Sequence, residues 1–164
     1  MMQSALLVID LQNGVCKPNQ TIFNYPNLIA KTNKRIDYYR FHNLPIIFIQ
    51  HEDNSLQKNS KAWKLVPSLN YKKTDILISK SHPNAFYKTP LQETLTNLGV
   101  NKLEICGAQT EYCIDTTIKM AHGLGYRLIM QHYASSTFDN KYMTAKNTIN
   151  FFENIWNKRF LSFI

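Results

Sequence analysis

The chain has no apolar run near the roughly 18 residues that a membrane span requires, so no bilayer-crossing segment is expected. It has only three cysteines, Cys16, Cys106 and Cys113. They form no paired framework, which excludes a disulfide-stapled fold and points to a reducing, cytoplasmic setting. Met1-Met2-Gln3-Ser4 leads straight into an apolar stretch, so no signal peptide is expected. Basic residues outnumber acidic ones 19 to 11, a formal charge of +8, yet they never gather into a stripe. Lys31, Lys34 and Arg35 share one helical stretch, Lys72-Lys73 is only a pair, and no RNA-binding or helix-turn-helix signature is present. Nucleic acid is therefore not an expected partner. Internal repeats, linkers and low-complexity tracts are also lacking. At 164 residues the chain reads as one domain, 1–164. That length suffices to bury about 70% of the surface the unfolded chain exposes.

What is present is an alternation of apolar runs and helical patterns. Residues 5–11, 46–50, 75–79, 103–106, 126–131 and 160–164 read as strands. Residues 27–41, 89–98, 113–123 and 142–156 read as helices, the second with Thr89 as N-cap, Pro90 in its first turn and Gly99 at its end. Residues 52–73 are polar and fit least well; they read as a long connection anchored by Trp63 and Leu65. Six strands separated by helices predict an α/β domain with a parallel, doubly wound sheet.

In such a sheet ligands bind at the carboxyl ends of strands, near the reversal of strand order. Asp10, His51, Lys80 and Cys113 each end or closely follow an expected strand. Cys113 lies between a strand and a helix, where backbone N–H groups and the helix dipole favour a thiolate. Asp10 can take the thiol proton and return it to a leaving group. Lys80 can hold Asp10 ionised and stabilise the thiolate. Cys106, within an apolar strand, and Cys16, with no partner group nearby in sequence, read as structural.

The segments Val8-Ile9-Asp10-Leu11-Gln12, Lys80 with Ala85-Phe86 and Thr89-Pro90-Leu91, and Gly107-Ala108-Gln109-Thr110-Glu111-Tyr112-Cys113 with Asp115-Thr116-Thr117 carry a resemblance. Ser135-Ser136-Thr137 and Thr144-Ala145 extend it. In order and spacing they resemble the isochorismatase-like cysteine hydrolase superfamily, which includes nicotinamidases and other amidases. The resemblance implies a three-layer α/β/α sandwich with a six-stranded, mostly parallel, Rossmann-like sheet. It implies Asp10, Lys80 and Cys113 as a catalytic triad. It also implies a cis peptide from Ala108 to Gln109, with the Gln109 and Cys113 amides as the oxyanion hole. The implied activity is hydrolysis of a small amide-like C–N bond through a thioester, with a small-molecule substrate, no cofactor and a homodimer or larger assembly.

Two departures stand out. Nicotinamidases of this family carry an Asp-x-His metal motif where this chain has His51-Glu52-Asp53. His51 and Asp53 alone make a poor site, so no metal is expected, and His51 is read as lining the pocket. Many relatives have His-His-Asn in the last helix, where Phe151, Phe152 and Glu153 stand here; altered packing or oligomer contacts are expected from that. Gln12, His51, Trp63, Phe86, Gln109 and Tyr112 are the expected substrate contacts. The alternatives are a nicotinamidase with a metal near His51, and a catalytically silent protein that binds a small carbonyl ligand.

Overall fold

A run of aliphatic residues with no polar alternates is stable as a strand only if both faces are covered. In the computed structural model of the chain, Ala5, Leu6, Leu7, Val8 and Ile9 are wholly buried in β1 (Gln3–Ile9). Residues 3–17 and 19–164 are described, so the reading of Met1-Met2 lies outside the described residues. The other strands are β2 (Ile46–His51), β3 (Ile76–Lys80), β4 (Val100–Ala108), β5 (Arg127–Met130), β6 (Ser135–Ser136) and β7 (Ser162–Phe163). The helices are α1 (Asn13–Cys16), α2 (Tyr25–Phe41), α3 (Leu91–Asn97), α4 (Asp115–Gly123) and α5 (Ala145–Trp156). Together they form the expected three-layer α/β/α fold.

The sheet order is β3-β2-β1-β4-β5-β7, with β6 against the end of β4, and every pairing is parallel. The chain winds outward from β1 through β2 to β3, then returns to lay β4 on the other side of β1. The β1–β4 boundary is thus the topological switch point, where the carboxyl ends of two central strands open a crevice.

At that boundary Ile9 lies opposite Gly107. A side chain on Gly107 would put its Cβ 2.0 Å from the Ile9 carbonyl oxygen, and its φ is +134°. Only glycine allows this approach of two backbones. One residue later, Asp10 takes φ +52°. That left-handed step ends β1 at Ile9, two residues before the apolar run itself ends at Leu11.

Other differences from the sequence reading have local causes. β6 was not anticipated, because two serines carry no periodicity. The helix after Cys113 starts at Asp115, preceded by a π turn over Thr110–Ile114. α5 starts at Ala145, where the Asp139 carboxylate accepts from the Ala145 N–H (2.7 Å) and Thr144 Oγ1 from the Asn147 N–H (3.2 Å). The long connection is irregular as expected, but Leu56, Trp63, Val66 and Leu69 are its buried anchors, while Leu65 is only partly buried. Part of it straps the chain leaving β1. The Asn13 N–H donates to the Lys64 carbonyl, Gly14 to Ala62, and Val66 to Leu11, at 2.8–3.0 Å.

Candidate active site

Register places His51 beside Lys80 at the ends of β2 and β3. Asp10 follows β1, and Cys113 lies in the π turn after β4. π turns of this kind are frequent at functional sites. Lys80 Nζ is 2.7 Å from Asp10 Oδ2, 3.1 Å from His51 Nδ1 and 3.2 Å from Cys113 Sγ. An ammonium has three hydrogens and no acceptor, so the three neighbours absorb its whole donor capacity. Asp10 and Lys80 are 1% and 2% exposed, while Cys113 and His51 are half-buried and form the accessible side of the cluster.

The acceptor role at Nδ1 fixes the His51 tautomer. Nε2 carries the hydrogen and points it toward Asp53 Oδ2 at 3.4 Å. Burial, followed by the Lys80 charge, pushes the His51 pKa down, which keeps the ring neutral.

Cys113 departs from expectation. Its pKa is pushed up to about 12, first by burial and then by the Asp10 charge, which together outweigh the lowering by Lys80. The resting group is a protonated thiol facing a carboxylate. The expected thiolate enrichment is corrected: a buried sulfur beside Asp10 gains more from keeping its proton than from the ammonium. Asp10 Oδ1 is buried and has no hydrogen-bond partner among the described residues.

The π turn is clamped from outside. Thr137 Oγ1 donates to Glu111 Oε1 (2.7 Å), Thr110 Oγ1 bonds Ser135 Oγ (2.9 Å), and Trp156 Nε1 of α5 donates to Asp115 Oδ1 (2.8 Å). The Ala108–Gln109 peptide is cis. None of these clamps was assigned from sequence, although Ser135-Ser136-Thr137 stood out as a motif. Altered packing or oligomer contacts are the expectation at Glu153. It is buried, accepts from the Tyr133 N–H (2.6 Å) and pairs with His132 Nδ1 (2.7 Å), anchoring the turn before β6.

Two expected substrate contacts are corrected. Gln12 is wholly buried; its Nε2 donates to the His51 carbonyl (2.9 Å) and the Trp63 carbonyl (2.8 Å), and its Oε1 accepts from the His51 N–H (2.8 Å). Both amide hydrogens are spent tying β2 to the strap. Gln50, which sequence reading missed, also donates to the Trp63 carbonyl (2.8 Å). Phe86 is a buried core ring, 6.0 Å from the ring of Tyr126, which precedes β5. The remaining four differ in exposure, His51 being half-buried. Trp63 is buried with its indole N–H unpartnered among the described residues, Gln109 is half-buried, and Tyr112 is exposed.

A nicotinamidase-type metal does not fit the outer side of His51. Among the described residues only Asp53 is found at Nε2, through Oδ2, while its Oδ1 accepts from the Ser55 and Leu56 amides (2.7 and 2.9 Å), and no third ligand joins them.

Fold and cluster together define a doubly wound α/β protein with a thiol, a carboxylate and an ammonium gathered at the switch point. A model of the isochorismatase domain matches residues 4–155. The chain belongs to the isochorismatase family of hydrolases. A crystal structure of an isochorismatase family protein is 48% identical, covers 98% of this chain and 97% of that one, and superposes with a TM-score of 0.96. Among curated relatives, the uncharacterized isochorismatase family protein YddQ of Bacillus subtilis is 30% identical over 131 residues, 76% of this chain and 73% of that protein. Nicotinamidase 3 of Arabidopsis thaliana is 28% identical over 155 residues, 84% of this chain and 75% of that protein. Among the described residues no helix is long and apolar enough to cross a membrane.

Proposed function

We propose that this chain is a cysteine hydrolase of small amide-like C–N bonds, with Cys113 as nucleophile, Asp10 as proton carrier and Lys80 as the cation that holds them together. The observation that carries this reading is the single Lys80 Nζ bonded to both Asp10 Oδ2 and Cys113 Sγ at the β1–β4 switch point. A thiol that keeps its proton at rest suits a mechanism in which proton transfer accompanies attack. As sulfur attacks the carbonyl carbon, its proton passes to Asp10 and the carbonyl oxygen becomes an oxyanion. The Gln109 and Cys113 amides receive that charge. The C–N bond then breaks as Asp10 returns the proton to the leaving nitrogen, which leaves a thioester on Cys113. Water attacks the thioester and gives a proton to Asp10. The C–S bond breaks, the acid departs and the thiol is re-formed.

Trp63, Gln109, Tyr112 and His51 are the proposed substrate contacts. The unpartnered Trp63 indole N–H supports the first of these. Similarity to Nicotinamidase 3 makes nicotinamide the first amide to try. Three free cysteines support a reducing, cytoplasmic setting, and a half-exposed Phe151 beside Phe152 on α5 supports assembly with further copies.

The test is ammonia release from a panel of nicotinamide, other primary amides, ureido acids and lactams, with acid-quenched intact mass to catch the acyl group. A substrate-derived adduct on the Cys113 peptide is expected. If Cys113→Ala hydrolyses a genuine substrate at the wild-type rate, the triad is wrong. If the panel gives neither turnover nor adduct but one compound binds, the silent binding protein is the better reading.

A further inference from the structure

Lys80 Nζ is a cation held by donor atoms of three kinds: a carboxylate oxygen, an imidazole nitrogen and a sulfur. Ligand atoms of Asp10, His51 and Cys113 all lie within 4.8 Å of one another, so the three converge on one point. Oxygen, imidazole and thiolate is a donor set suited to zinc and its soft neighbours, and unsuited to magnesium. Two independent features point the same way. Asp10 is 1% exposed, yet its Oδ1 has no partner among the described residues, so the carboxylate keeps an unused ligand atom. His51 already presents Nδ1 as an acceptor, with its ring hydrogen on the far side toward Asp53, the arrangement that orients a metal-binding imidazole.

We infer that Asp10, His51 and Cys113 form a soft-cation site that Lys80 fills at rest, and that Zn2+ fills it instead by displacing the ammonium and blocking Cys113. The exchange balances without any redox partner. Cys113 gives up its proton to solvent, sulfur and Nδ1 donate electron pairs to the metal, Asp10 trades one cation for another, and Lys80 swings out. Three protein ligands leave a fourth position for water. The consequence, reversible inhibition of the hydrolase, rests on the activity proposed above; the binding itself does not.

The first experiment uses the unaltered protein. Cys113 is alkylated with iodoacetamide at pH 8, with and without Zn2+ or Mg2+, and the labelled peptide is quantified by mass. Zn2+ is expected to slow labelling of Cys113 more than tenfold, with Mg2+ without effect. Equal rates with all three samples, or equal protection by both ions, overturns the inference. The second experiment titrates Co2+ into wild type, Lys80→Ala and Lys80→Met, the last keeping the buried alkyl chain. Removing the ammonium is expected to tighten Co2+ binding at least tenfold. A thiolate-to-cobalt absorption band is expected in either variant and is lost when Cys113→Ser or His51→Ala is added. Binding no tighter than wild type in both Lys80 variants, or a band that survives Cys113→Ser, refutes it. Neither readout uses turnover, so loss of the hydrolase reading and loss of the metal site are told apart.

Discussion

Glu104 and Asp10 are both deeply buried carboxylates paired with cations, and they are built differently. Glu104 on β4 takes Arg35 of α2 in a two-pronged grip, Nε to Oε1 at 2.6 Å and Nη2 to Oε2 at 2.7 Å. The guanidinium is capped by the rings of Tyr38 and Tyr39, with centroids 4.3 and 5.6 Å away. Both carboxylate oxygens are taken up by the one guanidinium. Asp10 receives Lys80 through one oxygen at 2.7 Å and leaves the other without a partner among the described residues, and the same ammonium is shared with an imidazole and a thiol. The closed pair ties a helix to the sheet. The open one leaves a proton acceptor beside a nucleophile, an arrangement that costs stability and makes sense only if something arrives to use it.

Breaking each pair should therefore have opposite signatures. The largest effect is expected from Asp10→Asn, which removes the proton carrier: turnover should fall by about a thousandfold or more. The same change removes a charge that raises the Cys113 pKa and leaves the Lys80 charge that lowers it. Alkylation of Cys113 at neutral pH should therefore become faster as catalysis disappears. A variant that loses both would mark Asp10 as merely structural. Glu104→Gln should do the reverse. It strands a buried guanidinium contact and should cost roughly 3 kcal/mol, read as a lower urea midpoint, with kcat unchanged. If kcat falls along with the midpoint, the two pairs are not the separate devices described above.

The pH dependence of the thiol sharpens the comparison. A Cys113 pKa of about 12 means that its alkylation rate should keep rising by about tenfold per pH unit from pH 7 past 9, where an ordinary thiol levels off. A plateau below pH 8.5 would restore the activated thiolate expected from sequence. The linkage runs the same way. Burial raises the folded pKa of Cys16, Cys106 and Cys113 from 9.0 to about 12. Their contribution to stability is therefore complete below pH 9.0 and is lost as pH rises toward 12, so unfolding midpoints should decline across that window.

Much of this was legible in sequence, for reasons that differ by residue. The strands β1, β2 and β4 were visible because a parallel sheet buried on both faces demands continuous aliphatic runs. Asp10, Lys80 and Cys113 stood out because each ends or follows such a run, where a polar group has no ordinary reason to sit. What could not be read was anything set by distance across the fold. Gln12 and Gln109 look alike as loop amides, and only the strap carrying the Trp63 carbonyl consumes the first. The helix dipole beside Cys113 suggested a thiolate, while the opposing influences, burial and the Asp10 charge, depend on packing that no local pattern encodes. Glu153 likewise has meaning only through the turn at His132 and Tyr133, about twenty residues before it in the chain.

The smallest expected effect tests how the open pair is kept in register with its nucleophile. Thr137 donates to Glu111 Oε1, and Glu111 Oε2 is already buried without a partner among the described residues. Thr137→Val keeps the shape and removes the only bond found to that carboxylate among the described residues. A buried acceptor left bare costs about 1–3 kcal/mol. The π turn can escape that cost by turning Glu111 outward, and this movement carries the adjacent residues, Cys113 among them, away from Asp10. The expected result is a loss of about 1–2 kcal/mol in stability with a several-fold fall in kcat and little change in KM, because the displaced group is the nucleophile and not a substrate contact. A matching change at the closed pair, Tyr38→Leu over the Arg35 guanidinium, should touch stability alone. If Thr137→Val leaves kcat intact, Glu111 holds the loop without aiming the sulfur, and the alignment of Cys113 with Asp10 must come from the glycine contact at β1 and β4 instead.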